Sequence, residues 1–576
     1  MGFHEDPMRP LGECLLDTDL THLRIIARLW GLELKAGRQR EAALELAEKM
    51  VAPEVVAEVW EALPPEQKAA LQALVEAGGW MPTPVFTRRF GQVRMVGPGR
   101  LERERLWEAP LGPAEALWFR GLLFKGFRQG AEGPQEVLFI PPELLALLPH
   151  PPTPPAPTLE IRPIPDPPHR RPADDALLDD LVALLAFLVS ERVRPRADGG
   201  WPERAWEALR PHLREPDGER FAFLLALLEG LGWTRRVEGR LALRSRPVIA
   251  WLQAPPEAQR RTLVEAWRGL TGWNELWRLP TLRPEETGTW HNDPRQAREA
   301  LFRHLAVLEP GAWYAIADFI AAVRAVDPDF QRPGGDYETW YIRDALTGEY
   351  LSGFESWERV EGALLRALIG GPLHWLGLAD LGALDAEAPP YAFRLTAAGA
   401  VAVGRGQPEG EAAGRAPPPL VVRPDGTVRV AAARRHDRFR LARVADLVRK
   451  GPTYTYRLTA ASLERARRQA ITIPQIIAFL EEASGQPLPK PLAQALDRWA
   501  TRGVEVEGEP VVLLRVRTPG LLRRIAESPR VGRYLLRVLN PQEALVRQAD
   551  WPRLEAALAE MGLLAGVQSP AGGGGE

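Results

Sequence analysis

Cysteine occurs once in the 576 residues, at Cys14. A single thiol cannot close an internal disulfide or build a multi-thiolate metal site, and here it reads as a small core residue rather than a nucleophile. Lysine is nearly as scarce: it supplies six of the 73 basic residues, and none of the six follows a glycine. The loop that grips ATP in a motor, GxxxxGK followed by Ser or Thr, is therefore missing, which excludes an autonomous ATP-driven motor. Also lacking are HExxH, GxSxG and a GxGxxG that opens a helix. The nine histidines show no ligand spacing, so each reads as a surface or satisfied core residue. No apolar run reaches the roughly 20 residues that cross a bilayer. The start, MGFHEDPMRPLGE, has no basic-then-apolar leader, so a cytoplasmic protein with no membrane partner is expected. No catalytic, cofactor-binding or metal-ligating residue is assigned, and a non-enzymatic protein is expected.

Proline, by contrast, is abundant at 56 residues, and it clusters. Positions 149–172 hold eleven prolines in 24, a density that no helix or interior strand tolerates. With the Gly-, Pro- and Glu-rich stretch GRGQPEGEAAGRAPPP at 404–419, it marks linkers. The chain is too long for one core. The expected units are a helical hairpin at 1–51, a helix-helix-helix-hairpin module at 52–149, a linker at 150–173, a second module with a tryptophan-rich connector at 174–292, a third at 293–403, a linker at 404–419, a basic domain at 420–567 and a disordered tail at 568–576. The class is α+β, mainly α: an array of winged-helix-like modules joined by Pro/Gly-rich linkers. The connector tryptophans Trp251, Trp267, Trp273, Trp277 and Trp290 read as packing residues, with a base-stacking platform as the sharper alternative.

The net charge of -2 hides an asymmetry. From Leu420 to Trp551 there are 24 basic against 13 acidic residues, a balance of +11, whereas residues 1–419 sum to -11 and the last 25 to -2. A basic region joined to an acidic remainder points to a polyanionic partner. The plain alternative is a solvated, arginine-rich surface. Asp174-Asp175 and Asp179-Asp180, at a helix start, are assigned to offsetting the helix dipole. In the first module Arg88, Arg89, Arg94, Arg100, Arg103 and Arg105 are interleaved with Glu102, Glu104 and Glu108, so local ion pairing is the stronger expectation.

The basic region is also the most patterned. LVVRPDGTVRV reads as a hairpin turned at Asp425-Gly426. Next comes a basic helix in which Leu441, Val444, Leu447 and Val448 face inward. Three short helices follow, the first capped by Thr459 or Ser462, the second by Thr472 with Pro474 in its first turn, the third starting after Pro489 and carrying Leu492, Leu496 and Trp499 inward. RGVEVEGEPVVLLRV is expected to close the unit as a two-stranded hairpin.

Leu458-Thr459, Ser462-Leu463, Arg465-Ala466, Thr472, Ile476, Phe479-Leu480-Glu481, Ser484, Pro487-Leu488-Pro489 and Trp499-Ala500 resemble the helicase-associated module of XPB-type DNA helicases, also found in bacterial proteins that carry it without a motor. GPGRLERERLWEAPLGPAEALWFRGLLF and GPLHWLGLADLG look like further segments of such relatives. The family often has glycine where this chain has Ala470. Residues 13–50 are similar to the small DNA-binding helix-loop-helix module known as SAP; a plain helical hairpin is the competing reading. The resemblance implies a non-catalytic, multi-domain DNA-binding protein, an accessory or regulatory factor in DNA transactions, with DNA as partner and a helicase or other DNA-processing protein as a further one. The alternatives are a protein-interaction scaffold built of winged helices, or a metal-dependent nuclease. The candidate DNA contacts are Arg434, Arg435, Arg438, Arg440, Arg443, Arg449, Lys450, Tyr454, Tyr456, Arg465, Arg467 and Arg468; the alternative is that these arginines pair with carboxylates of the acidic N-terminal half and hold the domains together.

Overall fold

The computed structural model describes residues 8–130, 133–150, 159–197, 200–285, 291–332, 334–406, 417–503 and 509–566. Trp290, most of the 404–419 linker and the tail lie outside these residues. The chain is 50% helix and 15% strand, the strands in small sheets, so the class is mainly helical α+β as expected. It divides into two compact units: one of residues 1–420 with 429–457, the other of 421–428 with 458–576.

Within the first unit one topology recurs. Helix Pro65–Glu76 leads to a short strand, Trp80–Pro82, then to helices Thr83–Phe90 and Pro113–Phe119 and strands Phe124–Gly130 and Gly133–Phe139. The short strand pairs with the second hairpin strand, so the spatial order is 80–82, 133–139, 124–130. The turn after the first helix needs glycine: at Gly79 φ is +96°, and a Cβ would lie 2.6 Å from a Leu145 methyl. The same order returns with helix Pro294–Leu305, strand Trp313–Ala315, helix Ile316–Val326, the helical segment 358–373 and strands Ala379–Ala383 and Ala392–Leu395, where 313–315 pairs with 392–395 and that strand with 379–383. A third instance has helices Ala176–Ser190, Glu203–Leu209 and Gly218–Gly230 before the hairpin Thr234–Val237/Arg240–Leu243. There the carbonyl of Val193 accepts from the Leu241 amide, standing where the short strand stands in the other two.

Two large apolar cores and one small cluster, of Ile25, Leu101, Leu106 and Phe119, fill the described residues of this unit. One gathers Leu11 to Leu148; the other runs from Leu177 through Leu395 and takes in Phe439. The segments expected as separate second and third modules therefore share one interior. Trp251, Trp267 and Trp273 are buried in it and Trp277 packs against it, so the connector is packing. The helical region before Gln39–Met50 is two helices, Leu11–Leu16 and Leu20–Leu29, rather than one. The proline-rich stretch also differs from expectation over its described part: Ile164 bridges to Trp313, and His169–Arg171 is the edge strand beside Ala379–Ala383. An edge strand uses only one side of its backbone, so flanking prolines do no harm there.

In the second unit, Asp425 accepts from the Thr427 amide and Gly426 has φ +79°, as the turn requires. Thr459 and Ser462 cap helix Ala460–Arg468 reciprocally, Thr472 and Gln475 do the same for Ile473–Ser484, and Lys490–Arg502 is the third helix. The first strand of the expected closing hairpin falls on residues 504–508, which lie outside the described ones; its second, Val511–Arg515, pairs with Glu543–Arg547, the central strand of a sheet completed by Leu535–Asn540. Leu514, Leu522, Ile525, Val546 and Leu554 form its core.

Between the first two helices of this unit, Ala470 has φ +58°, the left-handed conformation in which a glycine meets no Cβ penalty. Ala470→Gly should therefore raise stability by about 1 kcal/mol, read as a higher urea midpoint; an unchanged or lower midpoint would show that the turn is not strained.

Candidate nucleic-acid interface

The basic segment expected to meet DNA folds with the first unit. Helix Arg435–Val444 buries Arg435, Arg438, Phe439, Leu441 and Val444. Arg435 and Arg438 share a face with Phe439 at spacings of three and four, so the phenyl ring and both guanidinium groups go inward together. Of the +11 balance, +7 belongs to residues 429–457. Part of that charge is matched internally.

The match is helix Ala176–Ser190, which carries Asp179 and Asp180 among leucines. Arg438, 2% exposed, donates to Asp179 at 2.5 Å, while Arg435, 1% exposed, pairs with Asp175 at 2.5 Å and stands 3.4 Å from Asp179. Arg214 reaches Asp179 at 3.2 Å and Asp174 at 2.6 Å. Tyr454 donates to Asp179 at 3.4 Å, and the Arg438 guanidinium lies 3.5 Å from the centre of its ring. Gln259 accepts from Arg435 and donates to the carbonyls of Trp251 and Leu252. The carboxylates assigned to the helix dipole thus hold buried cations. Burial would raise Asp175, but the Arg435 and Arg260 charges hold its carboxyl below the ordinary carboxylate range. Burial pushes Asp180 up to about 7, against hydrogen bonds from the Arg214 and Glu215 amides and the charge of Arg220.

The other candidates divide between the units. Tyr454 and Tyr456 are buried and stacked on each other at 6.5 Å, not presented as a platform, and burial raises both phenols. Arg434 pairs with Asp437 at 2.5 Å and donates to the carbonyl of Pro418. Arg440 and Arg443 are half-buried, with Arg443 over the Phe439 ring. Leu447 and Val448 leave the helix: they belong to strand Asp446–Arg449, and Val448 is exposed. Arg449 is exposed, and Lys450 donates to the carbonyls of Pro211 and Leu213. In the second unit Arg465 is half-buried, whereas the side chains of Arg467 and Arg468 are 69% and 75% exposed; both lean on Glu464, at 2.7 and 3.5 Å. In the first module Arg100 pairs with Glu104 and Arg105 with Glu108, as local pairing required, whereas Arg94 pairs with the buried Glu115, 21 residues on, and Arg88 with Asp329 at 2.6 Å.

The leading expectation let the apolar residues define the inner face of the basic helix and left its arginines outside, whereas Arg435 and Arg438 follow the alternative, pairing with carboxylates of the acidic N-terminal half. The signal that would have corrected it is Asp179-Asp180 within an otherwise apolar helix, since a buried carboxylate needs a cation from elsewhere in the chain. Among the described residues no group of three or more His, Cys, Asp or Glu side chains is placed to hold a metal ion, and no helix is long and apolar enough to cross a membrane.

The geometry describes a helix-rich array of small sheet-bearing modules, with exposed guanidinium groups at a few of its surfaces. Residues 420–540 match the family described as the helicase conserved C-terminal domain, which ties the chain to helicase-related families and points to a nucleic-acid-associated role. No curated protein matches the chain.

Arg438→Met should cost about 3–5 kcal/mol in urea unfolding because it removes the shortest cation contact of the buried Asp179, and Asp179→Asn added to it should recover part of that loss. Arg467→Ala should leave the urea midpoint essentially where it is. Equal costs would contradict the burial described. Asp180 binds its proton more tightly in the folded chain, so its contribution is full below the unfolded value of 3.8 and lost as pH rises through about 7. Lowering pH from 8 to 6 should stabilise the protein by about 1 kcal/mol, a slope that Asp180→Asn should flatten.

Proposed function

We propose that the protein is a non-catalytic, multi-module DNA-binding factor, accessory or regulatory in DNA transactions, whose modules are winged helices and whose 420–567 region is of the XPB-associated type without a motor. The observation that carries this is the helicase-family match over 420–540, the same stretch that holds the exposed Arg467 and Arg468. The recurrent strand order, with the short strand beside the second hairpin strand, supports the winged-helix reading of the first unit. Internal pairing of Arg435 and Arg438 favours a second reading, a scaffold whose modules bind proteins, because it removes charge from the surface offered to DNA.

Salt separates the two readings. Phosphate contacts release counterions, so the logarithm of affinity should fall linearly with that of salt, with a slope of about -0.9 per contact on duplex DNA; an apolar protein interface has no such slope. Fluorescence anisotropy of a labelled duplex with the full chain should give a slope steeper than about -3, and absence of binding at low salt would leave only the scaffold. With no phosphate loop, isothermal calorimetry should show no saturable ATP binding; a binding isotherm would overturn the motorless assignment.

A further inference from the structure

The acidic balance of residues 1–419 conceals a basic surface in their middle. Hairpin Thr234–Val237/Arg240–Leu243 turns at Glu238-Gly239, both with positive φ, at 52° and 76°. This is the two-residue turn whose twist suits paired strands. Leu241 and Leu243 pack against the core, so alternation sends Arg240 and Ala242 to the opposite face, together with their register partners Val237 and Arg235. Val193, whose carbonyl accepts from Leu241, is 3% exposed, and its neighbours Arg192 and Arg194 are exposed on either side of it. Arg244 and Arg246 follow the hairpin and are exposed as well.

None of these six arginines forms an ion pair with a described residue, in contrast to those of the first module and of helix Arg435–Val444. Glu191 and Glu238 are near in sequence and exposed, and neither pairs with them. The Nε of Arg240 is buried without a hydrogen-bond partner, a donor held in place with nothing to receive it. Arg192 and Arg194 flank the buried Val193, and the half-buried Arg240 lies diagonally across the hairpin from the exposed Arg235, a placement that sets side chains about 7 to 8 Å apart. The outward face thus presents a small lattice of planar, bidentate donors.

We propose that this face, Arg192, Arg194, Arg235 and Arg240 with Arg244 and Arg246 beside it, is a second nucleic-acid contact that takes the phosphate backbone of duplex DNA. The inference rests on the DNA-binding reading above and adds a site that the matched region does not contain. Guanidinium forks suit phosphate oxygens, which favours a polyanion. The hairpin face offers no aromatic side chain on which unpaired bases could stack, which favours a duplex over a single strand. Its apolar content is Val237 and Ala242, too little to anchor an acidic peptide by burial.

The test uses the full chain and a short fluorescein-labelled duplex. The variant Arg192→Gln, Arg194→Gln, Arg235→Gln, Arg240→Gln should keep the wild-type urea midpoint, weaken binding at low salt by more than tenfold, and make the salt slope shallower by about 3–4. Should its midpoint fall, Arg192→Glu with Arg194→Glu, which leaves the hairpin itself intact, takes its place with the same expectation halved. Wild-type affinity and slope in the variant would overturn the proposal while the DNA-binding reading stands on Arg467→Ala with Arg468→Ala. A variant that loses affinity for polyglutamate but not for the duplex would overturn it in favour of an acidic protein partner. A wild-type chain that binds no duplex at low salt would sink both.

Discussion

A carboxylate withdrawn from water is tolerated only where cations and hydrogen-bond donors replace its hydration, and Asp179 is the point at which this protein meets that requirement. Its oxygens take in Arg438, Arg435, Arg214 and the Tyr454 hydroxyl. Arg438 lies 259 residues further along the chain, so the contact binds a distant segment of the sequence to a helix of the largest core. Such a pair does not guarantee net stability, since desolvation offsets much of the attraction. It does fix register: an aliphatic helix can slide on its neighbour at modest cost, whereas a helix carrying Arg435 and Arg438 against Asp175 and Asp179 has one position in which every charge is matched.

Elements whose cause is local were legible. The caps at Thr459 and Thr472 and the Asp425-Gly426 turn follow from residue types at fixed spacing, and all three stand where the pattern put them. Elements whose cause is distant were not. The strand status of His169–Arg171 depends on Ala379–Ala383, more than two hundred residues away, and a proline count cannot reveal that partner. The partner of Val511–Arg515 among the described residues, Glu543–Arg547, was likewise invisible to a reading that looked for the nearest strand-like run.

Charge misled for a related reason. Summing over long stretches treats each arginine as equivalent, but pairing depends on burial and geometry. Arg435 and Arg438 are counted as part of a basic domain yet are neutralised in the interior, while Arg192, Arg194 and Arg235 disappear into an acidic total and stand exposed. The residue types were right and their addresses were wrong.

The division of the chain leaves residues 421–428 and 458–576 in one unit and 429–457 in the other. The family-matched stretch, 420–540, is therefore not a cassette. Transplanted whole into another protein, it would take with it Phe439, Arg435 and Arg438, pieces of a core whose remaining walls stay behind. Recombination that respects the homology boundary would leave both products with an open wound: unmatched carboxylates in the donor and unmatched guanidinium groups in the recipient. A lineage that inherits this arrangement is bound to inherit both parts together, and exchange of the second unit alone has to respect three joints, at 420, 428 and 457, rather than the single one at 420.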